Sequence, residues 1–202
     1  MAKIPTKSQL FRLLSVLSPL SLLLLWEFLA RIHAIDTRLL SSPSLIIKSI
    51  GPLLASGYLL NNTLISVQRV VIGFLVGAIP GILLGMSMGL SPVVRSLIEP
   101  MIAATYPIPK LAIMPLILLI FGLGETSKVF TIAIGVFYLV VINTMAGVLN
   151  IDKIYLDVAK NFGANRKDFY LTVAFPGALP MIFAGLKLGM GTALILIVAA
   201  EM

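Results

Sequence analysis

Cysteine is absent from the 202 residues, and histidine occurs once, as His33. These absences remove any disulfide framework, thiolate nucleophile or Cys/His metal cluster. Charge is scarce as well. Asp, Glu, Lys and Arg make up 11% of the chain, against roughly 25% in a soluble domain. So few charges cannot solvate a globule of this size, and a soluble reading is close to excluded. What fills the chain is apolar: 59% of residues, with a mean hydropathy of +1.08. The excess of 15 basic over 8 acidic residues belongs in loops at a membrane surface, in contact with lipid, rather than in a nucleic-acid groove. No nucleic acid, metal or cofactor is expected as a partner. The composition is that of an integral membrane protein.

A helix crossing the hydrocarbon core needs about 20 mostly apolar residues. Five stretches meet this: Leu13–Ala30, Val67–Leu90, Ile102–Leu123, Val129–Leu149 and Ala178–Ala200. Runs such as Leu20–Trp26 do not alternate, so the spans read as helices and not as strands of a β-barrel. The first span, preceded by Lys3, Lys7 and Arg12, reads as a retained anchor rather than a cleaved signal, because no small-x-small triplet follows it cleanly. With the N-terminus in the cytoplasm, Lys3, Lys7, Arg12, Arg95, Lys153, Lys160, Arg166 and Lys167 fall inside, and Arg31, Arg38, Lys48 and Lys128 outside. This asymmetry orients the chain N-terminus in. The chain stops at Glu201-Met202 directly after an apolar run, which reads as an end short of a further span. We divide it into an N-terminal anchor and external loop, 1–62, and a transmembrane domain, 63–202.

Three features within the spans bear on mechanism. Gly73, Gly77, Gly81, Gly85 and Gly89 recur at every fourth position of the second span, a small-residue stripe that lets helix backbones approach closely. It serves either plain packing or a sliding contact between moving helices. Pro107, Pro109 and Pro115 should break the start of the third span. Irregular backbone at membrane depth survives only against protein or a water-filled cavity, so these prolines mark either a packed kink or a lining of the translocation path. Lys187 sits about two turns into the last span, where it either snorkels to the interface or faces an aqueous path for an anion. Glu27 and Arg69 lie near span ends. No chain of intramembrane carboxylates suggests proton coupling.

The segment Asn150–Gly177 is the most informative. Ile151, Ile154, Tyr155, Val158, Ala159 and Phe162 follow the spacing of an amphipathic helix. Gly163 is a helix stop, and Asn165 with Asp168 reads as the N-cap and first turn of a second short helix. Pro176 then precedes the last span. The apolar stripe can lie in lipid headgroups or in a partner's groove.

At this loop the sequence resembles the inner-membrane permease subunits of ABC importers. Their cytoplasmic signature runs E-A-A, then Gly at the seventh position, then I-x-L-P ending at the twentieth. Here it reads Asp157-Val158-Ala159, Gly163 and Val173-Ala174-Phe175-Pro176. The chain is similar in particular to the nitrate/sulfonate/taurine permeases. This likeness rests on Leu40–Ser44, on Arg69–Phe74 with the glycine stripe, on Pro107-Ile108-Pro109, and on Met114-Pro115-Leu116. Phe121–Lys128, Asn143–Val148 and Ala199-Ala200-Glu201-Met202 extend it.

The resemblance implies an all-α polytopic bundle of the type I importer kind, with five spans present and a sixth expected beyond Met202. It implies half of a path for a small solute, first of all an anion such as nitrate, a sulfonate or taurine. The partners it implies are a second permease copy, a cytoplasmic ATPase dimer and an external solute-binding protein. Asp157, Ala159, Gly163 and Pro176 would then belong to the ATPase-coupling loop. The chain would not itself be an enzyme, and indeed no G-x-x-x-x-G-K-[ST] phosphate loop is present. An intramembrane enzyme lacks any constellation to build on. The alternative is a secondary transporter, or a non-transport membrane protein with a surface amphipathic helix.

Overall fold

The computed structural model describes residues 7–38 and 40–202, with the side chains of 7–10, 12, 13, 160 and 166 left aside. Of the basic residues that orient the chain, Lys3 lies outside the described residues, as do the side chains of Lys7, Arg12, Lys160 and Arg166. The described residues carry helices and no strand. The chain divides into two compact units, residues 1–63 and 64–202.

In the first unit, α1 (Lys7–Arg31) holds an apolar window, Leu14–Arg31, whose leucines are mostly exposed. Helix α2 (Pro43–Ala55) starts where its sequence dictates. Ser42 Oγ accepts from the Leu45 N–H at 3.4 Å, and Pro43 takes a first-turn position that needs no donor. Glu27 joins the two helices. Its Oε1 accepts from Arg31 Nε at 2.8 Å and its Oε2 from the Ser44 N–H at 3.1 Å.

The second unit is built around α6 (Glu125–Leu149). Its residues Ile132, Val136 and Val140 are fully buried. They pack with Val70 and Ala78 of α3 (Tyr58–Leu90) and with Ala193, Leu196 and Ile197 of α9 (Phe175–Glu201). Val141 of α6 meets Met88 and Ile102, which brings in α4 (Pro92–Thr105). Helix α3 starts at Tyr58, ahead of the expected Val67. Asn62 and Thr63 depress the hydropathy there without ending the helix, because both side chains donate back to carbonyls one turn earlier, at 2.8 and 2.7 Å.

Two expected boundaries are corrected. Residues 102–123 are not one continuous helix. Helix α4 ends at Thr105, and a 3₁₀ turn at Lys110–Ile113 leads into α5 (Met114–Phe121), the two halves being bent by 86°. Pro107 and Pro109 supply no N–H, and each pushes the preceding residue out of the helical region. Pro115 falls in the first turn of α5, where a missing donor costs nothing. Among the described residues four continuous helices are therefore long and apolar enough to cross a membrane, and the bent pair makes a fifth span if counted as one. The last span also starts earlier than expected. After α7 (Lys153–Asn161), α8 (Arg166–Phe169) runs through a π turn at Tyr170–Ala174 directly into α9. The wide turn lies where Pro176 lacks a donor, and the Phe175 N–H reaches back to the Tyr170 carbonyl.

Candidate functional site

The five glycines of α3 lie against α6. A Cβ added at Gly73 would stand 2.8 Å from Ile132 Cβ, at Gly81 3.0 Å from Val140 Cβ, and at Gly85 2.7 Å from the Val141 carbonyl oxygen. At Gly77 it would meet the Ala133 carbonyl oxygen, and at Gly89 the Val148 side chain, closer still. Lipid tails are as apolar as leucine, so helices in a bilayer associate through close packing rather than hydrophobic transfer. The far side of α6 repeats this device with α9. A Cβ at Gly185 would lie 2.9 Å from Asn143 Cβ, and one at Gly147 2.8 Å from Met181 Cβ. Sequence reasoning missed this second seam, though Gly185 and Gly189 carry the same four-residue spacing.

The bend between α4 and α5 opens a cavity of about 360 Å³ lined by Tyr106, Pro107, Pro109, Lys110, Gly135 and Thr192, among others. Two of the residues expected along the path, Pro107 and Pro109, line it; Pro115 and Lys187 do not. Lys187 is exposed on α9. It precedes Thr192 by five residues, which places it about 140° round the helix from that wall. The cation in the cavity is Lys110, which the sequence did not single out. Its Nζ donates to the Thr105 and Tyr106 carbonyls at 3.1 and 3.0 Å and stands 4.1 Å from the centre of the Tyr138 ring. The Tyr138 hydroxyl donates to Thr105 Oγ1 at 2.9 Å, so the ring is tied to α4 as well.

A second cluster was not foreseen as a cluster. Arg69 of α3 donates through Nε and Nη2 to both oxygens of Glu125 at 2.5 Å, and through Nη1 to Glu201 at 2.6 Å. Ser66 Oγ also lies within 2.9 Å of both Glu201 oxygens. One guanidinium thus joins α3 to the start of α6 and the end of α9. Arg69, Glu125 and Glu201 each stand in a segment that carries the family resemblance, but the two carboxylates lie 56 and 132 residues from the arginine, and no periodicity links them.

In the loop after α6, the Asp152 carboxylate accepts from the Ile154 N–H at 3.0 Å. Gly163 adopts a φ of 71°, and the Ala164 N–H returns to the Ala159 carbonyl at 3.0 Å, a Schellman-type ending. Asn165 Oδ1 caps α8 by accepting from the Asp168 N–H at 2.9 Å. The apolar stripe divides. Ala159 is buried and Ile151 half-buried, whereas Ile154, Tyr155, Val158 and Phe162 are exposed. Tyr155, Val158 and Phe162 form one wall of an apolar groove of about 420 Å³, with Thr172, Val173 and Pro176 on the other. Asp157 is exposed, and a Cβ on Gly163 would meet nothing within 4 Å.

Comparison with known proteins agrees with this architecture. Residues 81–202 match the family described as the binding-protein-dependent transport system inner membrane component. An ABC transporter permease protein of Methanocaldococcus jannaschii is 38% identical over 94% of this chain and 72% of its own length. The taurine transport system permease protein of Escherichia coli is 33% identical over 90% of this chain and 68% of its own. The nitrate import permease protein of Synechococcus elongatus is 39% identical over 69% of this chain and 50% of its own. Members of this family are membrane subunits that work with a separate ATPase and a solute-binding protein, and are not themselves enzymes. On sequence, fold and relatives together, the chain belongs to the ABC importer permeases of the nitrate/sulfonate/taurine transport family.

Proposed function

We propose that this chain forms half of a transmembrane path for a small anion, taken up from an external binding protein and driven by an ATPase docked on the loop 150–177. The anion class follows the transport named for the taurine and nitrate relatives and the net basic charge of the chain. A second copy completes the path, the N-terminus is cytoplasmic, and the loop faces the ATPase. The observation that carries this reading is the row Ile154, Tyr155, Val158 and Phe162, left exposed on a short helix that Gly163 ends in a left-handed turn. An apolar row at the tip of a loop needs a cover, and an ATPase groove supplies one. Asp157, Ala159, Gly163 and Pro176 build this docking element, and Pro107 and Pro109 face the path.

Gly163→Asp tests the coupling. It adds charge and bulk at the tip and leaves the spans untouched. The variant should insert normally yet lose both ATPase co-purification and uptake. Undiminished co-purification and uptake would remove the loop from coupling and favour a membrane-surface helix. Cysteines introduced at Asp36 and Arg166 should label from opposite sides of intact cells, and labelling of position 166 from outside would overturn the orientation.

A further inference from the structure

The cavity at the α4–α5 bend holds a cation with a purpose beyond the bend itself. Gly135 lies ten residues past the start of α6 and Thr192 nine before the end of α9. At 1.5 Å per residue both stand about 15 Å from the Arg69–Glu125–Glu201 end, half the thickness of a hydrocarbon core of about 30 Å. An ammonium at that depth is costly unless it is paired or hydrogen-bonded. Lys110 has two carbonyls and one aromatic face, and no carboxylate pairs with it among the described residues. Both carbonyls bring partial negative charge only, so a full positive charge remains facing the cavity. An ammonium also has three donors, and the third is not used by these partners. The lining also includes Thr192 of α9, which Gly135 lets approach α6 closely. An added Cβ at Gly135 would stand 3.4 Å from Thr192 Cγ2 and closer to Leu196.

We infer that this cavity is a binding site within the membrane for a compact monoanion of the alkyl sulfonate type, with Lys110 as the charge that recognises it. The ammonium's third N–H binds the anionic oxygens, and the proline and tyrosine walls take the alkyl part. This deepens the proposed function and rests on its assignment of an anionic solute. The site would check, inside the membrane, the charge of what the binding protein delivers.

The Cys-free chain permits a direct test. The transporter, assembled with its ATPase in phosphatidylcholine nanodiscs, carries Thr192→Cys and is modified with two thiosulfonate reagents of similar size. One bears a sulfonate, the other a trimethylammonium group. The sulfonate reagent should react at least about tenfold faster, relative to the same pair on a free thiol, because the local field favours one charge and opposes the other. Methanesulfonate should at least halve its rate. Lys110→Gln should abolish both effects, and Lys110→Arg should keep them. Equal relative rates, or no protection by methanesulfonate, would overturn the site, and neither measurement requires a change at Lys110. A lysine serving only to cap α4 would leave charge discrimination without protection. Uptake of taurine, methanesulfonate and nitrate by the unaltered transporter is measured in parallel. Discrimination and protection without uptake of any of the three would leave the site standing and sink the substrate reading. Uptake without them would do the reverse.

Discussion

Two of the turns in the second unit are made in opposite ways. At Tyr106–Pro109 the break is proline. Pro109 is the residue whose N–H would have met the Thr105 carbonyl in a continuing helix; that carbonyl accepts instead from the Ile108 N–H at 3.3 Å and from the Lys110 ammonium at 3.1 Å. At Phe162–Asn165 the break is glycine. With Gly163 left-handed, the Ala164 N–H closes back onto Ala159, and the backbone satisfies itself. At the proline break a side-chain ammonium shares in closing the helix end, and so a charge stands at the bend. The glycine break draws in no side chain, and the surface it exposes is apolar. The first suits a site for a charged solute; the second suits a docking surface for a partner.

Helix α6 is the scaffold of the second unit, so the largest effect should come from disturbing it. Gly77→Leu forces a side chain into the Ala133 carbonyl and should cost about 3 kcal/mol, the upper end of overpacking. Gly81→Leu, where the nearest atom is Val140 Cβ at 3.0 Å, should cost less. Thermal unfolding of the two purified variants checks the order, and equal Tm values would mean the helices slide apart freely. Next comes the glycine turn. Gly163→Ala meets no neighbour, so only its positive φ matters, and the variant should lose about 1–2 kcal/mol. Increased protease cleavage within 161–166 is the readout, and Gly163→Asn should fall between the two.

The proline turn should be gentler still. Pro109→Ala frees the backbone and should destabilise by about 0.4–1 kcal/mol through the unfolded state. Its sharper consequence is local: with a donor restored to the Thr105 carbonyl, Lys110 is released, and the reagent preference at Thr192→Cys should shrink while Gly163→Ala leaves it unchanged. The smallest effect belongs to Lys187→Gln. Exposed and turned from the cavity, Lys187 should change stability by less than about 0.5 kcal/mol and leave uptake intact. A marked fall in uptake would return Lys187 to the path.

The features legible from sequence were those whose cause lies within a few residues. Asn165 caps α8 because a short amide reaches a donor three residues on, and Pro176 shapes the start of α9 because it lacks one of its own. The tenor of the spans followed from hydropathy, but hydropathy measures fitness for lipid and not helicity. This is why α3 begins at Tyr58 and α9 is continuous from α8. In the third span the prolines announced the break, but its size, 86°, was not legible from a composition that is apolar throughout.

Local chemistry therefore decides where this chain enters lipid, where it bends and where it caps. Its near lack of charge and its proline and glycine spacing suffice for that, since each acts over one helical turn. Only the folded bundle decides partners. It sets the α3 glycines against α6, joins Arg69 to Glu125 and Glu201, and chooses Lys110 over Lys187 as the cation in the cavity. Those choices depend on which helix faces become neighbours across 56 or 132 residues, and a close approach through glycine is what lets them form.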